Sequence, residues 1–204
     1  MSQIFRRCSD ASRLPPNVQL AAHRRFCGFT LIELMVTLAV AAVLMAVAAP
    51  SFRNITISNK LTTTANDVVG AINVARMEAI RLNASTQFCS DLSANNVNGT
   101  EVLGLACTTQ AGAVWGMVPN AAGAPTATLL RAGTNGIAAP VALTGHMAAI
   151  RFGSNGLGHA VSASTPFDGL VADISSDALS TNKHRCIRMA AGSIVTTTTQ
   201  TGAC

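Results

Sequence analysis

Glu33 is an acidic residue inside a run of otherwise uncharged, mostly apolar residues from Phe29 to Ala49. Placing a carboxylate within a membrane segment costs about 2.5–3.5 kcal/mol, so such a group is by default functional and has a partner. No Lys, Arg or His lies between Phe29 and Phe52, so the partner cation comes from another chain or is created later. A cut after Gly28 would create one, because the new α-amine of Phe29 carries positive charge near neutral pH.

The length of the run and the charges around it indicate a membrane-spanning helix. At roughly 1.5 Å per residue, a helix over Phe29–Ala49 is about 30 Å long, which is the thickness of a bilayer core. Five Arg and one Asp precede the run within residues 1–28, and only Arg53 follows it closely. Basic residues favour the cytoplasmic side, so we expect the N-terminus there and residues 51–204 across the membrane.

Three simpler readings of the apolar run compete with a functional helix. A secretory signal has a shorter apolar region and a small-residue cleavage site after it, which "MAVAAP" imitates. A lipoprotein needs its cysteine after the run, whereas Cys27 precedes it. A plain single-pass anchor fits the length but leaves Glu33 unexplained.

The stretch "GFTLIELMVTLAVAAVLMAVAAPSF" resembles the N-terminus of type IV pilins and type II secretion pseudopilins. The shared pattern is Gly, an aromatic residue, three further residues and Glu, opening a long apolar helix. The resemblance implies that a prepilin peptidase cleaves between Gly28 and Phe29 and that Phe29 is N-methylated. It also implies that Glu33 neutralises the Phe29 amine of an adjacent subunit during filament assembly, and that Pro50 is the family's helix-bending proline. The implied leader, residues 1–28, is long for the family.

After Pro50 the apolar residues recur at helical spacing and predict a second, amphipathic half of the same helix. The predicted buried face comprises Leu61, Ala65, Val68, Ile72, Ala75 and Ala79, which Val69 and Ile80 widen. Asn83 is the predicted stop, so the whole helix runs from Phe29 to about residue 84. The segment "NKLTTTANDVVGAINVARMEAIRLN" resembles the FimT and GspH branch of the pilin-like proteins.

From residue 85 onward the pattern changes to short β-type runs separated by Gly, Asn, Ser and Pro. Predicted strands cover residues 85–90, 113–118, 126–132, 148–152, 167–175, 185–190 and 193–198. Residues 189–193 predict a hairpin turn and residues 152–158 a second turn. Residues 91–112 predict a long, polar, mobile loop.

These elements predict an α+β, pilin-like fold, with a long N-terminal helix packed on a C-terminal antiparallel sheet or sandwich. The predicted division of the chain is a cleaved cytoplasmic leader, a membrane and assembly half of the helix, an amphipathic half, and a periplasmic β-rich domain. Their predicted bounds are residues 1–28, 29–50, 51–84 and 85–204.

Four cysteines follow the leader: Cys89, Cys107, Cys186 and Cys204. An even number in an exported domain indicates disulfides, and four cysteines allow three pairings. Closeness in sequence favours Cys89–Cys107 and Cys186–Cys204. A zinc site would need close Cys and His pairs, and no CxxC or HxxxH pattern occurs, so we predict no metal and no cofactor.

The remaining polar residues do not form a catalytic motif. His146, His159 and His184 are scattered, and no nucleophile elbow, Walker loop or HExxH pattern lies near them, so we predict no enzyme and no catalytic residue. Asp168, Asp173 and Asp177 are predicted at turns or solvated strand edges, and Trp115 is predicted to be a partly buried packing residue.

The net charge of +5 is concentrated before residue 29, and the rest of the chain holds nine basic against eight acidic residues. Some FimT-like minor pilins resemble DNA receptors, with a Gly-Arg-x-Arg element that presents cations to phosphates. The corresponding stretch here, residues 192–195, lacks both arginines. Lys183, Arg185 and Arg188 lie nearby and form the alternative prediction of a DNA-contacting patch.

The sequence therefore predicts a structural minor subunit of a type IV pilus or of a type II secretion pseudopilus, with the resemblance favouring the pilus. The expected location is the bacterial inner membrane before assembly, with the C-terminal domain in the periplasm. The expected partners are other pilin or pseudopilin subunits, the prepilin peptidase and the inner membrane. The alternatives are a DNA-uptake receptor on the same scaffold and a membrane-anchored periplasmic module.

Overall fold

A computed structural model describes residues 29–108, 110–119 and 123–204. The chain divides into two compact units, Met1–Leu44 and Met45–Cys204, and helix α1 (Leu31–Leu82) contributes residues to both. The predicted leader, including Gly28, lies outside the described residues.

The first unit contains the start of α1, and Thr30 caps it. The Thr30 hydroxyl accepts a hydrogen bond from the backbone amide of Glu33 at 3.3 Å, and the Thr30 carbonyl accepts one from Leu34 at 3.1 Å. A Thr at the N-cap with a Glu three residues later is the sequence of a capping box. In length and composition this helix is suited to crossing a membrane.

In the second unit, α1 buries the face that the sequence predicted. All six residues of that face are at most 1% exposed, and Ile57, Thr64 and Ala71 extend it. Val69 is half-buried against the core, but Ile80 is 51% exposed, so its predicted burial is wrong. The Ile80 side chain instead lies over the Gly156 turn, where an added Cβ would approach it to 2.7 Å.

Asn83 ends the helix, as predicted. Its φ of 48° is left-handed, a conformation that Asn tolerates better than most residues. The amide of Asn83 donates to the Ile80 carbonyl and the amide of Ala84 donates to the Ala79 carbonyl, both at 3.2 Å. This pair of bonds is a Schellman motif and satisfies carbonyls that the helix would otherwise leave without donors.

Nine strands follow in the described residues, and all pair antiparallel in two sheets. They are β1 (Thr86–Phe88), β2 (Val114–Pro119), β3 (Pro125–Arg131), β4 (Ala142–Leu143), β5 (Ile150–Phe152), β6 (Gly158–Ala160), β7 (Gly169–Ser175), β8 (His184–Ala190) and β9 (Ile194–Gln200). The sheet orders are β3-β2-β1-β5-β6 and β4-β7-β8-β9. All seven predicted strands are confirmed, whereas the short strands β4 and β6 were not predicted.

The core of the second unit lies between the buried face of α1 and the two sheets. The first sheet contributes Phe88 and Phe152, and the second contributes Ile174 and Ile187. The Thr86 hydroxyl donates to the Ala75 carbonyl at 2.7 Å and joins β1 directly to the helix. The architecture is α+β, with a long N-terminal helix packed on antiparallel sheets, and the predicted fold class is confirmed.

The region predicted as a long loop is instead folded into two short helices, α2 (Ser93–Asn96) and α3 (Val102–Cys107). Asn96 is fully buried, and its side-chain oxygen accepts from the Ser90 amide at 2.7 Å. Its side-chain nitrogen donates to the carbonyls of Ser90 and Thr108, each at 3.0 Å. The Cys89–Cys107 disulfide closes the same segment. The prediction failed because a polar residue supplies these contacts, which hydrophobic periodicity does not reveal.

The predicted hairpin turn between β8 and β9 is confirmed. Ala191 and Gly192 both have positive φ, 50° and 66°, as a type I′ turn requires. Gly192 also lies so close to Gly158 that an added Cβ would be 2.4 Å from the Gly158 carbonyl oxygen. A side chain therefore does not fit at this position.

Asp91 joins the α2 segment to the loop before β5. Its carboxylate accepts from the Met147 amide at 2.8 Å and is 2.7 Å from His146 Nδ1. Partial burial raises the pKa of the Asp91 carboxyl, but the hydrogen bonds from His146 and Met147 outweigh that effect, and the net pKa is below the ordinary aspartate value.

Replacing Ile72 by alanine tests the packing of the helix face. Because Ile72 is 1% exposed, we expect Ile72→Ala to lower the free energy of unfolding by about 2–5 kcal/mol. Its neighbour Asn73 is exposed, so Asn73→Ala is the matched control and should change stability by less than about 0.5 kcal/mol. Urea denaturation of the full chain in detergent measures both, and equal effects would contradict the packing.

Replacing Asp91 by asparagine tests the link between α2 and β5. A carboxyl whose folded-state pKa is depressed stabilises the fold above its unfolded pKa, about 3.9, and this contribution is lost as the pH falls through the folded pKa. We therefore expect Asp91→Asn to be less stable than the parent at pH 7, with the difference shrinking on acidification below about pH 4. Denaturation midpoints across the pH range measure this, and a difference independent of pH would exclude it.

Candidate functional site

The candidate assembly site is the N-terminal turn of α1, where Glu33 is the acidic residue of the first turn. Its side chain is exposed, and among the described residues no basic group forms a salt bridge with it. The nearest cation along the described chain is Arg53. The carboxylate is therefore available to a cation from outside the described residues.

The same helix exposes a largely apolar surface around Glu33. Phe29 is 78% exposed and Leu31 is 76% exposed. The other large apolar side chains exposed on this segment are Ile32, Leu34, Met35, Val36, Leu38, Val40, Val43 and Leu44. Apolar area on this scale is unfavourable in water, so the segment needs lipid or other apolar helices around it.

Phe29, the residue predicted to be methylated, is the first described residue and precedes the N-cap Thr30. The bond predicted to be cut joins it to Gly28, which is outside the described residues. The amides of the first helical turn carry partial positive charge, and Glu33 is favourably placed there. An amine on Phe29 would add a full positive charge at the same end of the helix.

Pro50 lies inside α1, which continues through it to Leu82. Proline has no amide proton, so the carbonyl of Ala46 loses its usual helical donor at this position. The helix is therefore weakened at Pro50, the position predicted to bend.

Both predicted disulfides are confirmed in the second unit. Cys89 and Cys107 are bonded, with a Cα–Cα distance of 5.5 Å, and Cys186 and Cys204 are bonded, with a distance of 5.7 Å. Trp115 packs partly buried against the first disulfide, as predicted. The second disulfide joins β8 to the segment that follows β9.

The three basic residues predicted to contact DNA do not share a surface. Arg185 is 6% exposed and donates to the Asn182 carbonyl at 2.7 Å and to the Ser58 hydroxyl at 3.0 Å. Burial lowers the pKa of its guanidinium. Arg188 is three residues along the strand, on the opposite face, where it donates to the Cys204 carbonyl at 3.1 Å.

Lys183 is 4.0 Å from the Asp177 carboxylate, so neither it nor Arg185 is an unengaged cation. The DNA-contacting patch therefore stays a prediction, and this arrangement gives its three residues no common exposed surface. Arg185 holds β8 to the helix through Ser58 and Thr62. Arg188 lies on the opposite face of the same strand.

Asp173 and His184 form a buried pair that the sequence did not predict. Asp173 is 2% exposed, and its carboxylate is 2.8 Å from His184 Nδ1. The prediction of a turn or solvated edge is wrong for Asp173, although Asp168 and Asp177 are exposed. The alternation His184-x-Cys186 places both side chains on one face of β8, and this was the available clue.

The two other histidines lie apart from this pair. His146 contacts Asp91, and His159 Nδ1 is 3.1 Å from the carbonyl of Ala160. In the part of the chain that the structure describes, neither histidine is bonded to a serine or cysteine nucleophile.

A helix that opens with a lone acid in an apolar surface, joined to a helix-on-sheet domain, defines the class of pilin-like subunits. The family model described as "Prokaryotic N-terminal methylation motif" matches residues 23–49. The model described as "Type II transport protein GspH" matches residues 64–193. Because that match spans more than half of the chain, the protein belongs to the GspH family of pilin-like subunits. This family is structural rather than enzymatic. Among curated proteins and among solved structures, none matches the chain.

Replacing Arg185 tests its structural role in holding β8 to the helix. Arg185→Met keeps an apolar stem but removes the hydrogen bonds of the buried guanidinium to partly buried acceptors, so we expect a loss of roughly 1–3 kcal/mol of unfolding free energy. Arg188→Ala is the control, because Arg188 is exposed, and it should cost less than about 0.5 kcal/mol. Chemical denaturation measures both. A neutral Arg185→Met variant would show that Arg185 does not hold β8 to the helix.

Proposed function

We propose that this protein is a minor subunit of a type IV pilus or a type II secretion pseudopilus. It is first held in the inner membrane, is then processed by proteolysis, and is finally assembled into the filament through its N-terminal helix. The observation that carries the proposal is the lone Glu33 carboxylate, which lies in an exposed apolar helix surface and lacks a salt bridge among the described residues.

Processing supplies the missing cation in this proposal. A prepilin peptidase cuts between Gly28 and Phe29, and the new amine of Phe29 is N-methylated. The family model for the methylation motif covers this bond. A methylated secondary amine remains protonated near neutral pH and can pair with a carboxylate in an apolar setting.

The proposed contact lies between subunits. Glu33 of one subunit neutralises the Phe29 amine of its neighbour, while the apolar side chains around them pack helix against helix. The same residues then face lipid in the stored subunit and pack against neighbouring helices in the assembled subunit. Pro50, which follows this contact along the helix, is the proposed flexible point.

The proposed functional division of the chain follows the charges and the fold. Residues 1–28 are the cytoplasmic leader, residues 29–50 the membrane and assembly segment, residues 51–84 the amphipathic half of the helix, and residues 85–204 the periplasmic domain. The two disulfides support the periplasmic location, because disulfides persist in oxidising compartments.

We favour the pilus over the secretion machinery because residues 59–83 resemble the FimT and GspH branch, although the matching family is described by type II transport. Deleting the gene in its native host tests this choice. Loss of surface pili with normal protein secretion supports the pilus. Loss of secretion with normal pili assigns the subunit to the pseudopilus.

Replacing Glu33 tests the assembly role. We expect Glu33→Ala and Glu33→Gln to remain in the membrane but to fall at least tenfold in filament incorporation, which corresponds to about 1.4 kcal/mol or more per contact. The reason is that both variants leave the neighbouring amine without a counter-charge. Quantitative immunoblots of membrane and sheared-filament fractions measure the two pools.

Thr37→Ala is the matched control, since Thr37 is also a polar residue on the exposed part of this helix. It should be incorporated like the parent. A Glu33→Ala chain that enters filaments at the parental level would contradict the proposed role of Glu33 in assembly, and a parent chain confined to the membrane fraction would leave only a membrane-anchored module.

A further inference from the structure

The Cys186–Cys204 disulfide lies against the buried Asp173–His184 pair, and these four side chains meet on one face of the second sheet. Ligand atoms of Asp173, His184 and Cys204 all lie within 4.8 Å of one another. Cys186 is bonded to Cys204, so its sulfur belongs to the same group. Among the described residues no other group of three or more potential ligands comes together in this way.

The strand ladder fixes the positions of three of the four groups. Asp173 of β7 lies directly opposite Cys186 of β8, and His184 points to the same face two residues earlier. Asp173, His184 and Cys186 are 2%, 6% and 1% exposed. Their backbones are held by the sheet, so the groups are positioned before any ligand arrives.

We propose that, when this disulfide is reduced, Asp173, His184, Cys186 and Cys204 form a four-ligand site for Zn²⁺. Two thiolates, an imidazole and a carboxylate are all zinc ligands, and four such ligands complete a closed tetrahedral structural site. The soft thiolates favour zinc over the hard cations Mg²⁺ and Ca²⁺, which prefer oxygen.

The geometry requires little movement around Asp173 and His184. Their nitrogen and oxygen atoms are 2.8 Å apart, and two such ligands of a tetrahedral zinc ion lie about 3.3 Å apart. The metal takes the place of the proton that now lies between Nδ1 and the carboxylate. In the disulfide-bonded chain the Cys204 amide also donates to the Asp173 carboxylate at 3.1 Å.

The larger movement falls on Cys204. Two zinc-bound sulfurs lie about 3.8 Å apart, so the two sulfurs must move apart once their bond is broken. Residues 201–204 follow β9, belong to no helix or strand, and are mostly exposed. Cys204 can therefore shift while the three strand residues stay in place.

The chemistry balances with a dithiol as the reductant. Its two electrons break the S–S bond, two protons go to the sulfurs of Cys186 and Cys204, and the reductant leaves as a disulfide. Zinc then displaces both thiol protons to solvent. In the reduced chain the metal holds residues 201–204 to β8, as the disulfide does in the oxidised chain.

The test uses the full chain in detergent, reduced with a phosphine and compared with the oxidised chain. We expect the reduced chain to bind a single zinc ion in competition with a chromophoric chelator, and the oxidised chain to bind none. Cobalt(II) as a probe should give a thiolate-to-metal charge-transfer band in the reduced chain. Zinc should also raise the melting temperature of the reduced chain alone.

Variants assign the ligands. His184→Ala and Asp173→Asn should each weaken zinc binding at least tenfold, and Cys186→Ser with Cys204→Ser should abolish it. The matched control removes the other pair, Cys89→Ala with Cys107→Ala, and should keep the site. If the reduced chain unfolds without metal, zinc should refold it with the same dependence on these residues.

Two results would overturn the proposal. One is a reduced chain that zinc neither binds nor stabilises. The other is zinc binding that survives loss of Cys186 and Cys204, or that is indifferent to His184 and Asp173, because the ion would then be held by other groups.

Discussion

The charge of Glu33 is the physical constraint on which the proposed function depends. A carboxylate in an apolar helix surface is costly in hydrocarbon, and among the described residues no cation is paired with it. The energy of the carboxylate is therefore lower when a positive group enters the same apolar setting. In the proposed function, a subunit with this feature is held in lipid and gains free energy when it meets a partner of opposite charge. That difference favours assembly over permanent anchoring.

Helix α1 also organises the folded domain, and it does so with different residues. Leu61, Val68 and Ile72 are buried against both sheets, whereas the apolar residues before Leu44 are exposed. The apolar residues of the helix therefore have two roles: those near its start form an exposed apolar surface, and those in its second half form the core of the domain. Small residues such as Ala75 and Ala79 let the sheets approach the helix closely, and the Thr86 hydroxyl bonds to the helix backbone there.

Two disulfides and a few buried polar groups hold the periphery of the domain. The Cys89–Cys107 bond and the Asn96 hydrogen bonds fix the α2–α3 segment against the first sheet. The Cys186–Cys204 bond fixes the residues after β9 against the second sheet. Arg185 joins that sheet to the helix through Ser58 and Thr62. These contacts involve residues far apart in sequence, and they stabilise regions where little apolar area is available.

Most of the fold could be read from the sequence because it depends on local periodicity. The spacing of Leu61 to Ala79 predicted the buried face, Asn83 predicted the helix end, and alternating β-type runs predicted seven strands. Sequence closeness was enough to pair the cysteines. The failures share a different cause. Asn96, Asp173 and Arg185 are polar residues whose burial depends on hydrogen-bond partners distant in sequence. Residue type alone therefore predicted a loop around Asn96, a turn or solvated edge at Asp173 and a solvated cation at Arg185. The short strands β4 and β6 are too brief to show a period.

The intact mass of the protein recovered from assembled filaments of its native host tests the central claim most directly. The account predicts a chain that begins at Phe29 and carries a methyl group on its amino terminus, because only that amine supplies the counter-charge for Glu33. A functional, assembled chain that still carries residues 1–28 would contradict it.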